Sequence, residues 1–334
     1  MKGRLAPGPR VGWKRSGILL AVACLSLAGP GSARAFVVDA NTAGAVRRWA
    51  LQVPDPRVPE TSVDRGARAI VVHLDAAGYS RTNTAAELEA VRAAMDQWAA
   101  VPGGAVRFRE GPLVTGTTDV NLQDGVNRIF WSTNLLVNGG RDDLSGVLAL
   151  TYVAAFTSGD FVIREADVVF NGAQFRWFTD HTSTEREGLF VEAIALHELG
   201  HLLGLRHSPV GGATMLFDGE RGVNSYLELS GDEVAAVRGV YGATPSAWGT
   251  VRGLLRRDGV ALFGGAVFAE DSDGNVVAGT VSRTSGEYVL SGLAPGSYTL
   301  RAAPLDLLTA ANYLVRGVDI SAAYRNVSTE FFPT

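Results

Sequence analysis

The spacing of apolar residues along the chain first predicts a helix in the segment 84–98. A capping-box sequence at 84–87 is followed by apolar residues at helical intervals: Leu88, Val91, Met95 and Trp98. These side chains fall on one face of a helix, so we expect that face to pack against the interior of its domain.

Two further helices are predicted nearer the middle of the chain. One follows a second capping-box sequence at 184–187 and continues through 188–203. Because it is apolar nearly all round, we expect it to run through the interior of its domain. The other begins at a capping box in 230–233 and has three valines along one side: Val234, Val237 and Val240.

Short apolar runs before the central helix predict five strands. They cover residues 69–74, 105–109, 126–131, 146–153 and 166–170. Strands with an early helix, a buried central helix and a terminal helix indicate an α+β domain over residues 36–243.

The pattern changes after a linker-like segment at 244–248. Short strands alternate there with glycine turns such as 257–259, 273–275 and 285–286. This pattern is typical of a small, all-β sandwich domain, which we assign to residues 249–334.

Composition limits the classes of protein that fit. The 334 residues are 46% hydrophobic and 19% charged, which is typical of a folded soluble protein of about two domains. The net charge of −4 shows no electrostatic preference for nucleic acid or anionic membranes. We therefore expect no nucleic-acid partner.

The first 35 residues have the pattern of an export signal. A basic region precedes a short apolar run at 17–28, and Ala33-Arg-Ala35 offers a cleavage site. The run is too short for a stable membrane span. Cleavage after Ala35 predicts a secreted, extracellular protein without cysteine, since Cys24 is the only one. Lipid attachment at Cys24 is the alternative.

The segment 197–207 carries the clearest chemistry, with the pattern H-E-x-x-H-x-x-G-x-x-H. His197 and His201 lie four residues apart, so a helix presents both imidazoles on one face. Gly204 lets the chain turn, and His207 then returns as a third ligand. Three ligands and a water are what a catalytic zinc ion requires.

Glu198 is the predicted general base. It lies next to the first ligand, where its carboxylate can take a proton from a zinc-bound water and deliver it to the leaving amine. Two histidines on an apolar helix are often only core residues. However, the full pattern arises by chance about 10⁻⁵ times per chain of this composition.

These residues resemble the metzincin metallopeptidases, and neighbouring ones resemble the matrixin branch. Ser208 follows the third histidine, 212–215 is similar to the Met-turn with Met215 beneath the metal, and 229–241 is similar to the terminal helix. The resemblance implies a twisted mixed sheet, an active-site helix and a C-terminal helix. It also implies that an extended substrate lies along the strand at 146–150; the alternative is that Leu148 and Leu150 only face the core.

The chain departs from that family in several places. No cysteine remains for a cysteine-switch propeptide, and 151–165 has no histidine for a second, structural zinc. Asp167 and its acidic neighbours could bind structural calcium, or could simply be solvated. We assign no role to His73 or His181. The C-terminal region resembles carboxypeptidase-regulatory-like or prealbumin-like sandwiches, which indicates a fold and not an activity.

Together these patterns predict a monomeric, secreted zinc endopeptidase that acts on proteins or peptides. The competing hypothesis is a non-catalytic extracellular adhesion or binding protein on a metzincin scaffold. Glu198 favours the enzyme, because a binding protein has no need of a proton acceptor at that position.

Overall fold

The computed structural model describes residues 18–22, 37–38, 45–157, 159–182, 187–216 and 227–305. Most of the predicted signal segment therefore lies outside the described residues, and its cleavage stays a prediction. Residues 18–22 form a strand that pairs with 253–257. In the described part of the chain, every helix is too short or too polar to cross a membrane.

The described elements up to residue 241 combine short strands with three helices. The strands are β1 (Ile18–Val22), β2 (Val63–Asp64), β3 (Ala69–Leu74), β4 (Phe108–Glu110), β5 (Arg128–Ser132), β6 (Leu136–Val137), β7 (Asp142–Asp143), β8 (Ala149–Ala155), β9 (Ile163–Asn171), β10 (Trp177–Phe178) and β11 (Leu189–Phe190). The helices are α1 (Thr84–Ala99), α2 (Val191–Leu202) and α3 (Gly231–Tyr241).

The main sheet of this region is mixed and has six strands. Its order is β2-β3-β5-β9-β8, and β4 also pairs with β3. The pairs β3–β5 and β5–β9 are parallel, whereas β8 runs antiparallel to β9 and forms an edge of the sheet. A mixed sheet with these helices confirms the predicted α+β class.

Helix α2 is held at the centre of the domain by aromatic side chains. The indole nitrogen of Trp98, in α1, donates to the Leu196 carbonyl at 2.9 Å. Trp49 donates in the same way to Leu202 at 2.9 Å, and the Tyr241 hydroxyl donates to Leu203 at 2.6 Å. The last carbonyls of a helix have no partner inside it, so Trp49 and Tyr241 satisfy groups that would otherwise be buried unpaired.

The first helix begins at the predicted residue, Thr84, but its predicted capping box is absent. Thr84 lies inside α1, whose N-cap Asn83 makes no side-chain capping bond. Glu87 instead accepts from the backbone amides of Tyr79 and Ser80 at 2.7 and 3.1 Å, so the preceding loop uses the carboxylate that the capping box would need.

Helix α2 begins at Val191, later than predicted, because the preceding residues pair as β11 with β10. Residues 183–186 of the predicted cap lie outside the described residues. In contrast, the capping box of α3 is confirmed, with Ser230 accepting from the helix and Glu233 accepting from the Ser230 amide.

The C-terminal region is all-β in its described part, up to residue 305, as predicted. Its described strands are β12 (Gly249–Arg257), β13 (Val260–Ala261), β14 (Gly265–Glu270), β15 (Val276–Val281), β16 (Glu287–Leu293) and β17 (Thr299–Pro304). Strand β12 pairs with β1, β13 and β16, and a second antiparallel sheet has the order β15-β14-β17. Buried residues of both sheets, such as Leu290 and Val267, belong to one hydrophobic cluster.

The predicted linker is packed against the preceding domain. Residues Pro245–Ala247 form a short 3-10 helix, and the guanidinium of Arg238 lies 4.2 Å from the centre of the Trp248 ring. Beyond it, the Gly279 amide of β15 donates to the buried Asp232 carboxylate in α3 at 2.6 Å. The C-terminal strands are thus joined to α3 by a buried hydrogen bond. The domain boundaries themselves stay a prediction.

Candidate metal centre and active site

Helix α2 and the turn after it bring three imidazole rings together. One nitrogen from each of His197, His201 and His207 lies within 4.8 Å of the others. The ring centres are 4.8 to 5.3 Å apart. Among the described residues, these three histidines are the one group of histidine, cysteine or carboxylate side chains that is close enough together to hold a metal ion.

Backbone carbonyls fix the orientation of the two helical histidines. Nδ1 of His197 lies 2.7 Å from the Thr214 carbonyl oxygen, and Nδ1 of His201 lies 2.9 Å from that of Leu205. A carbonyl only accepts, so each Nδ1 carries the proton and each Nε2 remains for a metal.

The titration of His201 also suits a metal ligand. Burial lowers its pKa well below the usual value, and the neighbouring His197 and His207 lower it further. The ring is therefore neutral at physiological pH. Metal ligands must be deprotonated, so the neutral His201 ring suits a zinc ligand.

A Schellman turn ends the helix and redirects the chain towards His207. The Gly204 amide donates to the His201 carbonyl at 2.9 Å, and the Leu205 amide donates to the Gly200 carbonyl at 3.0 Å. Gly204 has a φ of +89°, which is strained for any residue with a Cβ atom. A Cβ atom there would also collide with the Arg47 carbonyl oxygen. The glycine of the motif is therefore required by both conformation and space.

The segment after His207 is closed by hydrogen bonds and packs under the histidines. The Ser208 amide donates to the Met215 carbonyl at 2.7 Å, and the Met215 amide donates to the buried Glu233 carboxylate at 2.9 Å. The Met215 sulfur lies so close to Gly200 that no Cβ atom would fit between them. Met215 is thus a packing residue against α2, as the resemblance to the Met-turn implies.

Glu198 lies beside the cluster and is 5% exposed. Burial raises its pKa above the usual value, while the charge of His197 and the hydrogen bond from Thr151 act in the opposite direction. The Thr151 hydroxyl, on strand β8, donates to Oε2 of Glu198 at 2.6 Å. The site therefore holds a buried carboxylate that interacts with His197, one of the three potential metal ligands.

A comparison with known protein families finds one that matches the region of this site. The Matrixin family profile matches residues 72–242, which is just over half of the 334-residue chain. This segment contains the main sheet from β3 onwards and all three histidines.

The chain belongs to the matrixin family.

Several curated proteins are similar to this matrixin. The hatching enzyme of Paracentrotus lividus is 29% identical over 209 residues, which is 62% of this chain and 31% of the hatching enzyme. Metalloendoproteinases 5-MMP and 2-MMP of Arabidopsis thaliana are each 41% identical, over 59 and 63 residues. The matches cover 16% of each plant protein, so the chain spans less than a third of the curated relatives it matches.

Residues outside the motif have structural environments. His73 is buried in β3, with Nδ1 bonded to the Pro112 carbonyl at 2.9 Å, and His181 is exposed. Asp167 is not solvated, contrary to the simpler expectation. It is buried and accepts from the backbone amides of Asn121 and Arg128 at 2.8 and 2.9 Å. These bonds make it an anchor for a loop, and burial raises its pKa to about 6.

Three residues that support the site were not predicted from the sequence. Trp49, Thr151 and Tyr241 are far from the motif in sequence, and each contacts α2 or its C-terminal end. Threonine is common in strands, so the presence of Thr151 in a strand did not indicate a contact with Glu198. Tyr241 falls in the segment similar to the terminal helix, which was the available clue.

Proposed function

We propose that this matrixin is a secreted, zinc-dependent endopeptidase that hydrolyses peptide bonds of proteins, with Glu198 as general base. The observation that carries this proposal is a buried carboxylate beside three imidazoles whose nitrogens lie within 4.8 Å of one another. The relatives named as metalloendoproteinases support the same class of reaction.

His197, His201 and His207 would hold the zinc ion. Catalytic zinc sites often have three imidazole ligands, and their fourth position stays open for water or substrate. When bound, zinc is a Lewis acid that lowers the pKa of a water molecule to about 7 and polarises a carbonyl group.

Glu198 would move the proton. One carboxylate oxygen accepts a proton from the attacking water, and the same residue then protonates the leaving amine. Burial raises the pKa of Glu198, which makes the carboxylate a stronger base than one in water. Retention of this residue favours the enzyme over a non-catalytic adhesion protein on the same scaffold.

Strand β8 would bind the substrate. It is an edge of the main sheet, and its Thr151 contacts Glu198, so the edge runs beside the carboxylate. An extended peptide can pair with the free backbone groups of such an edge regardless of its sequence. The strand begins at Ala149, three residues after the start that the sequence predicts.

The remaining assignments come from sequence patterns. Residues 1–35 would be the export signal, 36–243 the catalytic domain, 244–248 the linker, and 249–334 an accessory β-sandwich. We expect a monomer. Structural calcium near Asp167 stays a prediction, and both carboxylate oxygens of that residue also accept backbone amides.

The proton-transfer role is tested with Glu198→Ala. We expect chelator-sensitive cleavage of casein or gelatin by the wild type and a loss of about 10²–10⁴-fold or more in the variant. Zinc should remain at about one ion per chain, because the three ligands are intact. Glu192→Ala, on the same helix, is the matched control and should stay active. Wild-type activity in Glu198→Ala would contradict the mechanism.

The ligand role is tested by metal analysis of His207→Ala after dialysis. Two remaining imidazoles cannot complete the three-ligand set, so the variant should lose zinc. His181→Ala removes an exposed histidine outside the cluster and should retain zinc like the wild type.

A further inference from the structure

Thr151 makes a contact with Glu198 that the sequence did not indicate. Its hydroxyl lies 2.6 Å from Oε2 of the Glu198 side chain and 3.1 Å from the Glu198 carbonyl oxygen. A threonine hydroxyl has one proton to donate, and the shorter contact is to the charged acceptor. The proton therefore goes to the carboxylate.

Thr151 is fixed more rigidly than the side chain it contacts. Its backbone lies opposite Val168 in the β8–β9 ladder. Its β-branched side chain has restricted rotation about χ1. Glu198 extends from α2 through three rotatable bonds, so a hydrogen bond from a rigid strand restricts the directions that its carboxylate can take.

We propose that Thr151 is a positioning residue, which holds Oε2 of Glu198 so that Oε1 remains directed to the attacking water. The inference rests on the proposed role of Glu198 as general base. Among the described residues, Thr151 is the side chain that donates a hydrogen bond to the Glu198 carboxylate. Thr151 touches neither the substrate carbonyl nor the metal in this role, and acts through Glu198 alone.

The matched pair Thr151→Val and Thr151→Ser separates the hydroxyl from the shape of the side chain. Valine keeps the β-branched shape and suits a strand, but cannot donate. A misplaced catalytic group can cost up to about 100-fold in rate, so we expect kcat to fall by about 10- to 100-fold in Thr151→Val. KM should change by about twofold or less, and zinc should remain at about one ion per chain. Serine should restore most of kcat.

A measurement besides activity is the position of the Glu198 side chain. Crystal structures of the zinc-loaded variants should show Glu198 in more than one rotamer in Thr151→Val and in a single rotamer in Thr151→Ser. Thr151→Ala provides the same comparison if valine disturbs zinc loading.

The outcomes separate this inference from the proposed function. If Glu198→Ala is inactive but Thr151→Val keeps wild-type kcat, or changes KM alone, the positioning role is wrong and the general base stands. Equal losses in the valine and serine variants would also overturn it, since the hydroxyl would not matter. If Glu198→Ala is active, the proposed mechanism itself fails.

Discussion

His197 and His201 lie one turn apart on helix α2, whereas His207 lies beyond a reversal of the chain. The geometry of the helix alone places the first two rings on the same face. The third ring depends on contacts distant in sequence, because its segment is held by Glu233 and Asp232 of α3 and by Gly279 of β15.

This difference separates local from long-range control of the metal centre. Substitutions that disturb the turn or the segment 205–216 should release the third ligand while leaving the helix intact. The C-terminal strands contribute through Asp232, which bonds to both Ser208 and Gly279. They are therefore connected to the residue that follows the third histidine.

The largest expected loss of stability is that of Gly204→Ala. A left-handed backbone costs a residue with a Cβ atom about 1–2 kcal/mol, and the collision with the Arg47 carbonyl adds to this. We expect the free energy of unfolding to fall by on the order of 3–5 kcal/mol, which chemical unfolding measures. We also expect weaker zinc retention, which metal analysis measures.

Gly212→Ala is the matched control for that substitution. Gly212 has a φ of +81°, but a Cβ atom there would meet nothing within 4 Å. It should show only the conformational cost of about 1–2 kcal/mol. Equal losses at both glycines would mean that the close approach of Arg47 does not constrain the turn.

A smaller loss of stability is expected for Glu233→Gln. Its two carboxylate oxygens accept from the Met215 amide and from Ser230, and an amide group can accept on only one side. One buried donor then loses its partner, which costs about 1–3 kcal/mol. Denaturant unfolding measures the change. Glu228→Gln, at an exposed side chain, should change stability by about 0.5 kcal/mol or less.

A separate test is the pH dependence of stability that Asp232 contributes. Burial, with the charge of Glu233, raises its pKa from 3.8 to about 7, so between these values the folded state holds a proton that the unfolded state has lost. Stability should therefore fall as pH rises from 4 to 7, by about 1.4 kcal/mol per pH unit at most.

Asp232→Asn isolates that dependence. Asparagine has the same shape and can still accept from Gly279, but it does not titrate. Unfolding curves at pH 5 and pH 8 should differ less in this variant than in the wild type. An unchanged pH dependence would show that other groups, such as Glu165 with its pKa raised to about 7, are responsible.

Sequence reasoning succeeded where the controlling contacts are local. Strand β3 has the predicted bounds, and the capping box of α3 is present as predicted. The segment 197–207 forms a helix followed by a glycine turn, because helix periodicity and the freedom of glycine are local properties.

It failed where distant contacts decide the structure. The start of α2 is shifted because β10 and β11 pair, and no local pattern shows that pairing. Glu87 bonds to the loop before its helix instead of capping it. Thr151 approaches Glu198 only because the strand crosses α2, so its role could not be predicted from residue type.

X-ray absorption spectroscopy at the zinc edge of the metal-loaded protein tests the metal centre most directly. Our account predicts four light-atom ligands at about 2.0–2.1 Å, three of them with the outer scattering of imidazole. A metal with fewer than three imidazole ligands, or a folded protein that takes up no zinc, would contradict it.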